Sequence, residues 1–291
     1  MAGPSAPFSP TFRDQQILKD LWLYRYLQTP QIARLHFDSL KVAQRRMRRL
    51  HEAKLVERFR ADMALRAGFR TWVYRLARPG AQLLSREIRE PVKSLLPPIR
   101  SPAGLRYLEH HRELTDFRIW LREGCRFSEG EFGYRFIPDY EEIRHMGRRR
   151  RRVALDFPET QTQLIPDGVF TLDRQGGRSV LFTLEIDRGT EPLRGRHPSS
   201  IKRKFLLYEH AFNNCAEKQY SKLFETEFRG FRILCIVPDE RRRLGFLKLS
   251  EEVDLKPLVW VGLMDLSASP GDLTKAMWKT SPEEDPHALT E

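Results

Sequence analysis

The stretch LIPDGVFTLDRQGGRSVLFTLEIDRGTE, residues 164–191, constrains the fold more than any other. Successive side chains of a strand point to opposite faces, so in LFTLEID the trio Phe182, Leu184 and Ile186 shares one face, and Thr183, Glu185 and Asp187 share the other. The apolar trio is expected to face the core. In LIPDGVFTL the same alternation groups Ile165, Asp167, Val169 and Thr171. The Gly176-Gly177 pair signals a turn, so the two segments read as an antiparallel hairpin. A turn centred near Gly176 sets Asp167 opposite Glu185. Like charges directly opposite on a sheet repel, and such a pair calls for a cation or a proton. Two readings follow, a solvated acidic edge and a metal site.

Those carboxylates lie in a basic chain. The 291 residues carry a formal net charge of +12, and residues 11–90 hold 18 Lys and Arg against 8 Asp and Glu. A merely solubilising charge would be spread evenly; one gathered in the first third points to an anionic partner, and DNA is the expected one. With 18 Phe, 8 Tyr and 5 Trp the chain has the means to build a core despite 31% charged residues. Cys125, Cys215 and Cys235 form no CxxC pair, so free thiols in a reducing cytoplasm are expected. No 18-residue apolar run occurs, and MAGPSAPFSP has neither the basic nor the apolar block of a signal peptide. The expected location is therefore cytoplasmic, with no membrane partner.

In TFRDQQILKDLWLYRYL, the residues Ile17, Leu18, Leu21, Trp22 and Tyr24 recur at helical spacing, and TPQIARLHF opens with a Thr-Pro helix start. In DSLKVAQRRMRRLHEAKLVERF, Ala43, Met47 and Leu50 form a buried stripe, which leaves Lys41, Gln44, Arg45 and Arg48, with Arg49 beside them, on another face. Such a face can reach phosphates and base edges in a major groove. LVERFRADMALRAGFRTWVYRLA reads as two strands around a Gly68 turn. Three helices and a basic hairpin resemble the winged helix-turn-helix. The competing reading is a basic bundle whose arginines are only solvated.

The Pro-rich stretch EPVKSLLPPIRSPAG, residues 90–104, reads as a linker. The expected organisation is a flexible start (1–10), a DNA-binding domain (11–89), the linker, a second domain (105–268) and a polar tail (269–291). LRYLEHHRELTDFRIWLREG is an amphipathic helix with Leu105, Leu108, Leu114, Phe117, Ile119, Trp120 and Leu121 on its apolar side. Three strands, a helix at PSSIKRKFLLYEHAFNN and a buried strand at FRILCIVPD follow, with LVWVGLMDL a candidate further strand. The fold class is therefore α/β of the α+β kind, with the order αβββαβ in the second domain.

That order, with Pro166-Asp167-Gly168 on one strand and Glu185-Ile186-Asp187 on the next, resembles the PD-(D/E)xK (restriction-endonuclease-like) superfamily. More narrowly, LIPDGVFTL, LFTLEIDRGTE and IKRKFLLY after a winged-helix start resemble the replication-relaxation family of plasmid and mobile-element proteins. The resemblance runs from about residue 12 to 240, and its most specific part is EIDRGTE followed by Lys202, Lys204 and Tyr208. It implies a site in which Asp167 and Glu185 hold Mg²⁺ or Mn²⁺, hard cations that take oxygen ligands. The usual lysine position holds Asp187, so a lysine is expected from the following helix, Lys202 before Lys204. Glu113, or Asp116 in its place, would complete the acidic cluster. Two readings of this domain stay open: a metal-dependent DNA endonuclease, and an inactive scaffold in a replication or transcription factor, with Arg188 and Arg194 neutralising the carboxylates. His110, His111 and His197 are expected at the surface or an interface, and Arg148–Arg152 in a solvated loop or against phosphates. Beyond DNA, the implied partners are replication or mobilisation proteins and a second copy of the chain.

Overall fold

The computed structural model describes residues 8–60, 71–96, 108–145, 148–157, 159, 161–195, 197, 200–263 and 271–290. It is a mixed α/β chain in two units, Met1–Asp116 and Phe117–Glu291. The division falls after Asp116, inside a helix, and not in the Pro-rich stretch. Part of that stretch, Val92–Leu95, is itself a helical turn with Leu95 fully buried. Residues 97–104 of the expected linker, Leu105 and the Gly68 turn lie outside the described residues.

In the first unit α1 (Phe12–Tyr24) starts at a capping box in which the Thr11 hydroxyl accepts from the Asp14 amide and the Asp14 carboxylate accepts from the Thr11 amide at 2.7 Å. The short β1 (Leu27–Gln28) follows, then α2 (Thr29–His36), α3 (Leu40–Glu52), β2 (Val56–Arg60), β3 (Trp72–Leu76), α4 (Arg78–Ile88) and α5 (Val92–Leu95). β3 pairs antiparallel with both β1 and β2. The 3.6-residue period of α3 buries Ala43, Met47 and Leu50, as the spacing requires. Ile17, Leu18, Leu21 and Tyr24 of α1 are buried with them.

The helix α6 (Leu108–Phe127) supplies its residues from Phe117 onward to the second unit. There β4 (Phe132–Pro138) is followed by two small hairpins, β5 (Glu142–His145) with β6 (Arg148–Arg151), and β7 (Leu155–Phe157) with β8 (Thr162–Leu164). Next come β9 (Gly168–Arg174), β10 (Ser179–Ile186), α7 (Ile201–Asn213), α8 (Glu217–Phe224), β11 (Arg232–Val237), α9 (Glu240–Glu252) and β12 (Val259–Leu263). The main sheet has the order β12-β11-β10-β9-β4. β10 runs antiparallel to β9 and parallel to β11, so the sheet changes character at that strand. The turn between β9 and β10 holds Gly176 at φ +67°, which favours glycine. Gly168 pairs with Leu184 in the register of a turn centred at Gly176; Asp167, just before β9, donates its amide to the same Leu184 carbonyl at 3.0 Å, and its carboxylate accepts from the Ile186 amide.

Both faces of β10 are covered, which goes against the solvated acidic edge as a reading of Glu185 and Asp187. Phe182, Leu184 and Ile186 are buried, but so are Thr183, Glu185 and Asp187. On one face the rings of Phe136, Phe170 and Phe182 stack, with 4.8 Å between the centroids of Phe170 and Phe182, and Phe117 of α6 lies 5.4 Å from Phe170. On the other, Val169, Leu181, Ile233 and Cys235 share a core with Phe205 and Tyr208 of α7, Tyr220 of α8 and Phe246 of α9.

The segment expected to be a polar tail is part of the core. Val261 bridges to Lys279, Trp278 bridges to His287, and Trp278 and Leu289 are buried. A Cβ on Gly262 would come within 2.4 Å of the Trp278 ring, so the missing side chain admits the indole. The charges of SPEEDPHALTE hide this role, since it rests on a few apolar residues. Truncating a buried Trp typically destabilises by about 3–5 kcal/mol. Trp278→Ala is accordingly expected to lower the denaturant midpoint of the second unit's unfolding, and an unchanged midpoint would show the segment to be dispensable.

Candidate functional site

The hairpin's carboxylates meet α7 on the covered face of the sheet. α7 starts where the Ser200 hydroxyl accepts from the Arg203 amide. Its stripe Ile201, Phe205, Tyr208 and Ala211 is buried, and Lys204 lies beside that stripe, one turn before Tyr208. The Lys204 ammonium pairs with Glu185 Oε2, and the Tyr208 hydroxyl donates to Glu185 Oε1. Asp167 Oδ2 accepts from the Ile186 amide at 2.7 Å, tying the first motif segment to the second. Asp187 is taken by Arg242 of α9, whose Nε and Nη2 donate to its two oxygens at 2.5 and 2.8 Å. Arg242 Nη2 also donates to the Glu191 carbonyl at 2.7 Å. A cleft of about 20 Å³, room for about one water, opens between Glu185, Asp187, Glu191 and Lys204, with Phe205 and Phe246 as its apolar wall.

The electrostatics follow from crowding carboxylates in a dry place. Burial pushes Glu185 up to about 7; Lys204 opposes this and the neighbouring Asp167 carboxylate adds to it. Burial works against the charge on Lys204, but Glu185 and Asp167 outweigh it and hold the ammonium above its ordinary range. Glu191 is also raised, by burial first, with Lys204 opposing. The Cys235 thiol, across from Glu185 in the β10–β11 register, is pushed well up by burial and by that carboxylate. Asp167 and Glu185 are the oxygen donors suited to a hard divalent cation. Among the described residues no group of three or more His, Cys, Asp and Glu side chains is arranged to hold a metal ion.

The first unit offers a separate candidate surface. Lys41, Gln44, Arg45, Arg48 and Arg49 are all exposed along α3, and Arg48 makes an exposed 3.8 Å pair with Glu52. Arg46, between them in sequence, turns inward, with Nε 2.6 Å from Oδ1 of the buried Asp14. Burial raises Asp14, but the Arg46 and Thr11 hydrogen bonds prevail and hold it below its ordinary value. On the hairpin, the guanidinium carbons of Arg58 and Arg60 lie 4.4 and 4.8 Å from the Trp72 ring.

A family model described as replication-relaxation matches residues 18–226. The chain belongs to the replication-relaxation family. Nothing matches it among curated proteins or among solved structures. The replication-relaxation match takes in both hairpin strands, Lys204 and Tyr208, and stops short of Arg242. No helix among the described residues is long and apolar enough to cross a membrane.

Several expected site residues lie elsewhere. Lys202 stands 3.8 Å from Glu252 and not on the carboxylates. Two helix positions are about 200° of rotation, so Lys202 and Lys204 cannot share a face. Glu113 pairs with Arg112 at 3.2 Å, and Asp116 accepts from Gln31 Nε2 at 2.8 Å. Both sit in the turns of α6 that belong to the first unit. Arg194 pairs with Glu252, so Arg242 supplies the charge on Asp187. The arginine run is no loop: it forms β6, and Arg149, Arg150, Arg151 and Arg152 pair with Glu142, Asp156, Asp139 and Glu141. His111 bonds to the Tyr24 carbonyl at 2.7 Å.

The sequence signal for Lys204 was its four-residue spacing from Tyr208. Arg242 is 55 residues from its partner and had no local signal. Removing one partner of a buried pair costs about 3–5 kcal/mol, less where the site can protonate. Lys204→Met is expected to destabilise on the order of 3 kcal/mol at pH 8 and distinctly less at pH 5, where Glu185 takes up a proton. The sign follows from Glu185, whose folded value of about 7 lies above its ordinary 4.5. The folded chain binds this proton more tightly, so the contribution of Glu185 to stability falls as pH rises between those values. Equal losses at the two pH values, read by denaturant titration, would contradict the pairing.

Proposed function

We propose that the chain is a DNA-binding protein of a plasmid or mobile element, with a winged helix that engages DNA and a PD-(D/E)xK-like second unit that hydrolyses its phosphodiesters. The observation that carries this reading is the trio of Asp167, Glu185 and Lys204, with the lysine brought from α7 onto the second carboxylate. This supports the reading because Asp187 occupies the usual lysine position and a cation still reaches the site.

Asp167 and Glu185 would hold Mg²⁺ or Mn²⁺, which when bound polarises a phosphate and lowers the pKa of its water. Tyr208 fixes the Glu185 carboxylate through Oε1. Lys204 is placed to orient a water beside Glu185 and to balance charge there. Arg242 withdraws Asp187 from this chemistry. In the first unit the helix order, the paired strands β2 and β3 and the exposed basic face of α3 support the winged-helix reading, with Arg46 serving as the inward anchor.

A second reading, a non-catalytic replication or transcription factor, draws on a different observation. Glu185 is already engaged by Lys204 and Tyr208, and Asp187 by Arg242, as in a closed ion network. One experiment separates the two. With Mg²⁺ or Mn²⁺ the intact chain is expected to cleave single- or double-stranded DNA, and Glu185→Gln to abolish cleavage while DNA affinity stays within about twofold, since the basic face of α3 and Glu185 belong to different units. A wild-type chain that cleaves neither substrate with either metal, and whose melting temperature ignores both, leaves the scaffold reading standing.

DNA engagement has its own test. Each lost phosphate contact removes about one unit from the slope of log affinity against log salt. Replacing Lys41, Arg45 and Arg48 together by Ala is expected to weaken binding across sequences and to flatten that slope by up to about three units. An unchanged slope would place the DNA surface elsewhere.

A further inference from the structure

The two faces of the β2–β3 hairpin treat their arginines oppositely. On one, Glu57 and Arg75 stand opposite each other and pair at 2.5 Å. On the other, Arg58 and Arg60 alternate with Val56, and their partners across the ladder, Tyr74 and Trp72, point the same way. The inner end of this face is core, with Val56, Tyr74 and Leu76 buried. At the outer end Arg60 is exposed, and Arg58 and Trp72 are half-buried. Both guanidinium carbons lie against the one indole, 4.4 and 4.8 Å from its ring centre. Arg58 also donates to the Tyr74 hydroxyl oxygen. Among the described residues neither Arg58 nor Arg60 has a carboxylate partner.

Two like charges gathered on one ring repel, and no acidic group among the described residues offsets that. Stacking on an indole uses the flat face of a guanidinium and leaves its N–H edge free, and that edge is the part that donates in parallel to a phosphate. The ring also removes side-chain freedom that binding would otherwise have to remove. We propose that Arg58 and Arg60 form a phosphate-binding site separate from the face of α3, with Trp72 as the positioning residue that holds both guanidinium groups for a DNA backbone phosphate. The inference rests on the DNA-binding reading above and deepens it, since such a contact fixes the position of DNA without reading its sequence.

The test is a fluorescence-anisotropy titration of a DNA duplex with the intact chain over a range of salt. Arg58→Gln with Arg60→Gln is expected to weaken binding and to flatten the slope of log affinity against log salt by up to about two units. Trp72→Ala keeps both charges, so it is expected to weaken binding about two- to fivefold with the slope nearly unchanged. Added to the double arginine variant, Trp72→Ala is expected to cost nothing further, whereas a merely structural indole would cost the same in both backgrounds. Trp72→Phe, a weaker seat for the cations, gives a second measure should the Ala variant not fold, with an intermediate loss expected. Inorganic phosphate at matched ionic strength is expected to shift the melting temperatures of the wild type and the arginine variant equally. A stabilisation by phosphate that only the arginine variant loses, with its DNA binding unchanged, makes the ligand a free anion and overturns the assignment. An unchanged slope in the arginine variant, or an equal loss from Trp72→Ala in both backgrounds, overturns it as well, while a flattened slope on replacing Lys41, Arg45 and Arg48 keeps the DNA reading. A wild-type chain that binds no DNA overturns both.

Discussion

Lys204 reaches from α7 to the Glu185 carboxylate at the end of β10, and the neighbouring charges are arranged around that contact. An ionised carboxylate taken out of water is expensive unless a cation and further hydrogen bonds satisfy it. Lys204 supplies the cation and Tyr208 the hydrogen bond, both from one face of one helix. The helix therefore packs with its polar and apolar parts in fixed phase: Phe205 and Ile201 enter the core only where Lys204 meets Glu185. Of the named acidic groups, Asp187 has its own guanidinium, and Asp167 is tied to the backbone of the opposite strand.

The change from antiparallel to parallel pairing at β10 places this cluster. β9 returns directly to β10 through a tight turn, which brings Asp167 beside Glu185 at the strand's end. β11 arrives in parallel after α7 and α8, so the connection that crosses the sheet is the one that carries Lys204 and Tyr208. The next crossover, from β11 to the parallel β12, carries α9, whose first turn delivers Arg242. A local hairpin thus supplies the carboxylates, and long-range connections supply the cations.

That division explains what could be read from the sequence. The hairpin, its register about Gly176, the helices α1, α2 and α3 and the αβββαβ order of the main elements all depend on short-range alternation, turns and periodicity, whereas α4 went unread. That Asp167 lies close to Glu185 was legible for this reason, although its amide bonds to Leu184 and it is not in register with Glu185. Lys204 was legible only as one of two lysines, because choosing between them requires the phase of α7 against the sheet. Arg242 was not legible, since only tertiary packing joins it to Asp187. That Glu113 falls in the turns of α6 assigned to the first unit was not legible, because helical periodicity does not record which residues serve which unit. The seating of Trp278 on Gly262 was hidden by charged neighbours that stay outside.

The inward arginine of α3 carries a consequence for how such a chain can change over generations. Arg46 is locked to Asp14 and the capping turn of α1, and Ala43, Met47 and Leu50 fill the core, so the rotation of the helix is set without help from its outer residues. Lys41, Gln44, Arg45 and Arg48 are then decoupled from folding, while Arg49 lies over the Phe8 ring. Point substitutions among those four leave the docking of the helix conserved, so this face can change in single steps without passing through misfolded intermediates.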